Sequence, residues 1–152
     1  MFFLLPQLPP PTLIAKPVRV SDGDTVTIQG TRVRLACIDA PESSQTRGEE
    51  ARATLQKMIQ SRIPRVLKLD TDRYGRTVGL LMLDNRNLNL EMVRQGQAFV
   101  YHQYLSTCPS LVRAQLLDAE SQARNRKLGV WQDEPPDYPW NFRKENYRGS
   151  DR

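Results

Sequence analysis

Three short segments of this 152-residue sequence are dense in acidic and basic side chains, namely residues 22–25, 34–42 and 72–76. Their residue types suit phosphate chemistry, because carboxylates bind a hard divalent cation through oxygen and guanidinium groups bind phosphate oxygens in pairs. Hydrolysis of a phosphodiester needs charge neutralisation on the phosphate, an oriented water and a group that accepts its proton. The three segments together therefore indicate a metal-assisted hydrolytic site.

Each segment, taken singly, also fits a purely structural role. Asp22 and Asp24 flank a glycine, as is common in hairpins and bulges, and residues 72–76 could be a solvated loop. Arg34 lies in an apolar strand, where it needs an anionic partner such as Asp39. Strict alternation would put positions 34 and 39 on opposite faces, so the strand must bend, bulge or end between them if the two are to meet.

Histidine and cysteine are too scarce for several other kinds of site. His102 is the only histidine, and Cys37 and Cys108 form neither a CxxC pair nor a cluster with it. A zinc site and a Ser-His or Cys-His nucleophile are therefore not expected, and any catalytic acid or base should be a carboxylate. Two free thiols and one disulfide of an exported protein both fit the cysteines, because the sequence does not fix their separation.

The composition predicts one small globular domain with a basic surface. Hydrophobic residues make up 39% of the chain and charged residues 26%, and Lys and Arg exceed Asp and Glu by 22 to 17. A net charge of +5 favours anionic partners such as nucleic acid, although many proteins are mildly basic without one.

Prolines separate both ends from a folded body at residues 18–131. Residues 1–17 are predicted to be an extended arm or the remnant of a signal peptide, since prolines interrupt this apolar stretch, which is too short to span a bilayer. Residues 132–152 form a Pro-rich, charged tail, whose Trp140 and Phe142 could pack on the body. No stable membrane span is expected, and the chain is expected to be a monomer.

Hydrophobic periodicity within the body predicts strands, then a helix, two strands, a helix, a short strand and a helix. A capping box of Thr46 and Glu49 should start the first helix, and Ser110 should cap the last, which Gly129 ends. The predicted strands are residues 18–21, 25–28, 31–38, 65–69, 77–83 and 98–100. The predicted helices begin after Thr46, at Leu88 (ending before Gly96) and after Ser110. Five main strands suffice to close a small barrel, so the expected class is α+β, a five-stranded β-barrel with about three helices.

Five motifs in this order and spacing resemble those of the staphylococcal nuclease (thermonuclease) family, over about residues 18–131. They are Asp22-Gly-Asp-Thr25, Arg34-Leu-x-x-Ile-Asp39-x-Pro-Glu42, Asp72-Arg-Tyr-Gly-Arg76, Leu90-Glu-Met-Val-Arg-Gln-Gly96, and Ala119-Glu-x-x-Ala123 followed by Lys127-Leu-Gly-Val-Trp131. The resemblance implies an OB-fold barrel and a calcium-dependent endonuclease that cleaves DNA and RNA and leaves 3′-phosphate ends, with no small-molecule cofactor.

The resemblance also implies a role for each residue of the metal site. Asp24 and Asp39 would ligate Ca²⁺ through their carboxylates, and Ala40 would contribute only its backbone carbonyl, where many members of the family have threonine. Asp22 would order metal-bound water from behind these ligands.

Around the metal, Glu42 would be the general base, while Arg34 and Arg76 would bind the phosphate and stabilise the transition state. Arg76 is also a candidate for the general acid that protonates the leaving 5′-oxygen. A last group, Tyr101, His102 and Tyr104, would line the nucleotide pocket, although these rings could instead only cap the barrel.

Two rival functions share these residues. The first is a non-catalytic nucleic-acid-binding module on the same barrel, which would usually have lost a carboxylate or an arginine of the set. The second is a phosphatase for small phosphate esters. The complete set favours the nuclease, and an extracellular or periplasmic location is expected.

Overall fold

The computed structural model describes residues 17–149, apart from the side chains of residues 148 and 149. Of the predicted N-terminal arm, only Pro17 falls within this range. The strands are β1 (Val18–Asp22), β2 (Thr25–Ile28), β3 (Thr31–Leu35), β4 (Ile38–Asp39), β5 (Arg65–Thr71), β6 (Thr77–Leu83), β7 (Arg86–Asn87) and β8 (Phe99–Val100). The helices are α1 (Gly48–Ile59), α2 (Leu88–Arg94), α3 (Ser110–Asn125) and α4 (Pro139–Gly149), with 3₁₀ helices at His102–Thr107 and Gly129–Gln132.

The main sheet follows the order β1-β2-β3-β6-β5, with β7 paired to β6. Only β3 and β6 run parallel; the other neighbours in this sheet are antiparallel. β4 and β8 form a separate antiparallel pair. The predicted α+β class is confirmed. Within residues 17–149 the sheet is not closed as the barrel prediction required, since β1 and β5 end the path and β5 is largely exposed, as an edge strand is.

The core lies between this sheet and the first three helices. The apolar face predicted for α1 is confirmed, with Ala51, Leu55 and Ile59 fully buried, and Met58 packs against the core. The predicted face of α3 is also confirmed, because its buried residues are Leu116, Ala119 and Ala123.

The expected caps of two helices are wrong. α1 begins at Gly48, and Arg47 occupies the N-cap with φ of 70° and no side-chain hydrogen bond that caps the helix, so Thr46 and Glu49 form no capping box. Ser110 is already the first residue of α3, behind Pro109. At the other end α3 stops at Asn125, short of Gly129, which instead begins a 3₁₀ helix.

Close packing explains why α1 starts where it does. A Cβ atom on Gly48 would lie 1.8 Å from the carbonyl oxygen of Glu42, so no larger residue fits there. The chain from Glu42 turns tightly through Gln45, whose carbonyl accepts a hydrogen bond from the Gly48 amide at 2.9 Å. The tight turn takes up the residues that the sequence pattern assigns to a capping box.

A left-handed turn separates β3 from β4, as convergence of Arg34 and Asp39 requires. β3 ends at Leu35, and Cys37 has φ of 67° before β4 begins. The amide of buried Asn89, on α2, donates to the carbonyl of Ala36 at 3.0 Å and to that of Gly79 at 3.1 Å. Cys37 also forms a disulfide with Cys108 across a Cα–Cα distance of 6.4 Å, so the two-free-thiol alternative is wrong.

The C-terminal tail packs on the body and contains a helix, α4. Trp140 lies 5.7 Å from Phe99 between ring centroids, and Tyr138 lies 4.9 Å from the same ring. Asp133 accepts two hydrogen bonds from Arg47, at 2.7 and 3.2 Å. In the part of the chain that is described, every helix is too short or too polar to cross a membrane.

Candidate active site

Two buried carboxylates form the centre of the site. Asp24 precedes β2 and is 6% exposed, and Asp39 ends β4 with no exposed surface. The amide of Ala40 donates to Oδ2 of Asp24 at 2.7 Å, and the Thr25 hydroxyl donates to Oδ1 at 3.0 Å. These bonds fix the Asp24 carboxylate against the strand that carries Asp39.

Gly23 allows the two carboxylates to approach each other. A Cβ atom at this position would lie 2.8 Å from the Cβ of Ala51 and 2.9 Å from the Cβ of Ala40. The glycine is therefore required by the contact between the β1–β2 bend, α1 and the chain after β4. Turn geometry alone, which the sequence pattern suggests, does not explain it.

Arg34 joins the two carboxylates through one guanidinium group. Its Nη1 lies 3.2 Å from Oδ2 of Asp24, and its Nη2 lies 3.4 Å from Oδ1 of Asp39. Nη1 also donates to the carbonyl of Leu35 at 3.1 Å. The arginine side chain is 15% exposed, so this charge is held in a largely desolvated position, where its electrostatic interactions are stronger than in water.

Glu42 stands at the edge of this cluster and is partly exposed. Its backbone amide donates to Oε1 of Gln45 at 3.0 Å, which fixes the chain where it leaves β4. Its side chain is 33% exposed, so water can reach the carboxylate.

Asp22 lines the same cavity, where the neighbouring negative charges affect its pKa. Burial raises the pKa of Asp22, and the charges of Asp24 and Glu42 raise it further, while hydrogen bonds from Ser43 oppose the change. Burial also raises the pKa of Asp39, against the opposing hydrogen bonds of a guanidinium group described below. Added positive charge would therefore stabilise this cluster.

Arg76 reaches the same cavity from the β5–β6 loop. Its Nε donates to Oδ2 of Asp72 at 2.7 Å, and its backbone amide donates to Oδ1 at 2.9 Å. Burial acts to raise the pKa of Asp72, but the hydrogen bonds from Arg76 and Tyr74 outweigh it and lower the pKa. The cavity has a volume of about 630 Å³ and is lined by residues that include Asp22, Asp24, Arg34, Asp39, Glu42, Asp72, Arg76, Tyr101 and Tyr104.

The three nucleotide-pocket candidates differ in position. Tyr101 packs edge-on against Tyr104 at 4.9 Å and lies parallel to Trp140 at 6.0 Å, so other rings already cover much of it. Tyr104 is 52% exposed. His102 lies outside the carboxylate cavity, in an adjacent one of about 590 Å³, with Nε2 3.6 Å from Oε1 of Glu120.

The sequence interpretation missed one residue of the site, Arg143 on α4. Its Nη1 donates to Oδ1 of Asp39 at 3.0 Å and to Oε1 of Glu42 at 2.8 Å, and its Nη2 donates to Oδ2 of Asp39 at 2.6 Å. The hydrogen bonds with Asp39 raise the pKa of Arg143, burial opposes this, and those with Glu42 add to the rise. Trp140, Arg143 and Tyr147 have helical spacing, which was the available signal, but three prolines before them favoured a tail.

The oxygen atoms of this site fit a hard divalent cation in their chemistry. Two buried carboxylates, Asp24 and Asp39, lie beside the main chain of Ala40, and hard cations prefer such oxygen ligands. Among residues 17–149, no three acidic, histidine or cysteine side chains converge as a ready ligand set. The predicted set needs only two such side chains and a carbonyl, so the residues fit, provided that Arg143 leaves the oxygens of Asp39.

Carboxylates and arginines meet in one open cavity of this α+β fold, and these are the groups that hydrolysis of a phosphodiester needs. The sequence model of the family described as "Staphylococcal nuclease homologue" matches residues 32–133. The chain therefore belongs to the staphylococcal nuclease family, and this membership supports nuclease activity.

Curated relatives support this membership over most of the chain. A Haemophilus influenzae protein named "Uncharacterized endonuclease" is 38% identical over 133 residues, covering 84% of this chain and 71% of that protein. The "Micrococcal nuclease" of Shigella flexneri is 36% identical over 140 residues, which are 84% of this chain and 78% of that protein. "Protein ParB" of Escherichia coli is 38% identical over 143 residues, with coverage of 85% and 78%.

Proposed function

We propose that this chain is a calcium-dependent endonuclease that hydrolyses phosphodiester bonds of DNA and RNA and leaves 3′-phosphate ends. The observation that carries the proposal is the shared cavity of Asp24, Asp39, Arg34 and Glu42, with Arg76 on its wall. Family membership supports the nuclease activity. The oxygen donors support a hard cation such as Ca²⁺.

The cation would be held by the carboxylates of Asp24 and Asp39 and by the backbone carbonyl of Ala40. When bound, it supplies Lewis-acid stabilisation of charge on the phosphate. Asp22, close enough for Asp24 to raise its pKa, would accept hydrogen bonds from water around the ligands.

The protein's own groups then account for the hydrolysis. Arg34 and Arg76 bind the non-bridging phosphate oxygens from two sides of the cavity and stabilise the charge that develops there. Glu42 takes a proton from a water as its oxygen bonds to phosphorus. The bond from phosphorus to the 5′-oxygen breaks, and that oxygen receives a proton, for which Arg76 is the candidate donor. The phosphate stays on the 3′ side.

Exposed rings and basic groups beside the cavity favour a polymer as substrate. Tyr104 offers an exposed ring for base stacking at the cavity rim. The adjacent cavity carries the positive charge of Lys144 and the rings of His102 and Tyr101, so a nucleic acid strand could continue past the site. A small phosphate ester would use neither feature.

We also infer export and a monomeric state. The disulfide of Cys37 and Cys108 supports an extracellular or periplasmic location, because disulfides persist in oxidising compartments. The cavity is built from one chain, so no second copy is needed to complete it.

A cleavage assay with a matched pair of glutamate variants tests the proposal. Wild-type protein should degrade single-stranded DNA and RNA with added CaCl₂ and give 3′-phosphate ends. Addition of EDTA should stop the cleavage. Glu42→Gln should cleave about 10²- to 10⁴-fold more slowly, as expected for a lost general base. Glu49→Gln, an exposed glutamate that pairs with Arg52, should retain activity.

The outcomes separate the nuclease from its rivals. Binding of both nucleic acids without calcium-stimulated cleavage would contradict the proposal and favour a binding module. Turnover of p-nitrophenyl phosphate without cleavage of nucleic acid would favour a phosphatase. A fully active Glu42→Gln protein would remove the general-base assignment alone.

A further inference from the structure

Arg143 holds the atoms that the proposed cation must use. Both oxygens of Asp39 accept hydrogen bonds from it, at 3.0 and 2.6 Å, and Arg34 lies 3.4 Å from one of them. We propose that Arg143 is a built-in counter-ion that closes the cation site and has to leave Asp39 before a divalent cation binds, which makes α4 a displaceable lid. The inference rests on the cation site of the proposed function.

The contacts of Arg143 disable two parts of the site together. The same guanidinium group holds Asp39, a cation ligand, and Glu42, the base, which lies 2.8 Å from Nη1. With Arg143 in place, Asp39 has no exposed surface, and each of its oxygens accepts a hydrogen bond from the guanidinium group. Neither oxygen is then free for a cation, and Glu42 is engaged by the same group.

The charge balance explains why a divalent cation can replace the guanidinium group. Arg34 and Arg143 face the carboxylates of Asp22, Asp24, Asp39 and Glu42 in one cavity. Buried carboxylates are costly without compensating positive charge. Without Arg143, Arg34 would be the only arginine among the described residues with an ion pair to Asp24 or Asp39. A divalent cation brings twice the charge of the arginine to the same oxygens, so occupation by one disfavours the other.

The attachment of α4 permits the exchange. The arginine side chain is 38% exposed, whereas that of Asp39 is 1% exposed. The tail is anchored before Arg143, by stacking of Tyr138 and Trp140 near Phe99 and by a hydrogen bond from Gln45 to the carbonyl of Asp137. The partly exposed side chain of Arg143 can therefore withdraw towards solvent while these anchors hold the start of α4 on the body.

Arg143 also lies outside the region that the family sequence model matches, residues 32–133. The cation ligands Asp39 and Ala40 and the base Glu42 lie inside it. Asp24 lies outside it as well, so the family match by itself does not predict the contact of Arg143 with Asp39.

Calorimetric titration of the full chain with CaCl₂ tests the lid directly, without reference to cleavage. Arg143→Gln should bind Ca²⁺ more tightly than wild type, by roughly the 5- to 150-fold range of typical coupling between sites. Lys144→Gln removes the same charge from the next position of α4 and should bind like wild type. Lys144 is exposed and forms no ion pair with Asp39 or Glu42 in the described part of the chain. Arg143→Lys should fall between, since an ammonium group lacks the paired donors of guanidinium.

Hydrogen exchange of residues 139–149 provides a second readout. Calcium should speed amide exchange in α4 of the wild type, and Arg143→Gln should exchange fast with or without calcium. Equal calcium affinity of wild type and Arg143→Gln would contradict the lid proposal but not the proposed cation site. A weaker substrate affinity with unchanged calcium affinity would make Arg143 a phosphate ligand instead. Absence of calcium binding in every variant would overturn the proposed cation site, and the lid with it.

Discussion

The buried half and the more exposed half of the site are built differently. Asp24 lies directly before β2, Arg34 is on β3 and Asp39 is on β4, with side chains at most 15% exposed. A hydrogen bond from the backbone amide of Ala40 to Asp24 helps to fix their spacing. Arg76 and Arg143 come from a loop and from the C-terminal helix, with side chains 23% and 38% exposed. The buried half sets the geometry of the site, and the exposed half adds positive charges that are held by salt bridges nearer to solvent.

The largest effect is expected from the buried half, in Arg34→Ala. Cleavage should fall about 10³-fold, because a preorganised charged donor to the phosphate is lost. The free energy of unfolding should also fall by about 3 kcal/mol, since Asp24 and Asp39 lose a buried partner. Cleavage kinetics and denaturant unfolding measure the two losses.

Arg32→Ala is the matched control, because Arg32 lies on the same strand but is exposed and lines neither cavity. It should leave both quantities nearly unchanged. If Arg34→Ala behaved like Arg32→Ala, the buried arginine would be a structural ion pair only, and the two halves of the site would not differ as described.

A smaller effect is expected from the exposed half, in Arg76→Ala. Cleavage should fall about 10²-fold, the lower end for loss of one transition-state donor. Stability should change by less than about 1 kcal/mol, because the partly exposed pair with Asp72 contributes little. Loss of several kcal/mol in a denaturant titration would contradict this and show that the loop supports the fold.

Local patterns in the sequence predict much of the fold and of the buried half. The bounds of β6, Thr77–Leu83, and the buried face of α1 follow from periodicity alone. Alternation requires the strand to bend, bulge or end between Arg34 and Asp39 if the two are to meet, and the structure shows that it ends.

The remaining features depend on contacts that sequence spacing does not contain. Arg143 lies 104 residues from Asp39 along the chain, so no local motif joins them. The start of α1 depends on the approach of Gly48 to the carbonyl of Glu42, which propensity cannot foresee. The open edge of the sheet likewise depends on whether β1 and β5 pair, which the alternation within each strand leaves undetermined.

The central claim is that the buried carboxylates of Asp24 and Asp39 bind the cation. Calorimetric calcium titration of Asp39→Asn, beside Asp118→Asn as a control on the exposed face of α3, tests it most directly. Asp39→Asn should weaken binding by more than about 100-fold, because loss of a direct ligand should cost more than loss of a residue that only contacts a ligand. Asp118→Asn should match wild type. Calcium affinity unchanged in Asp39→Asn would contradict the claim.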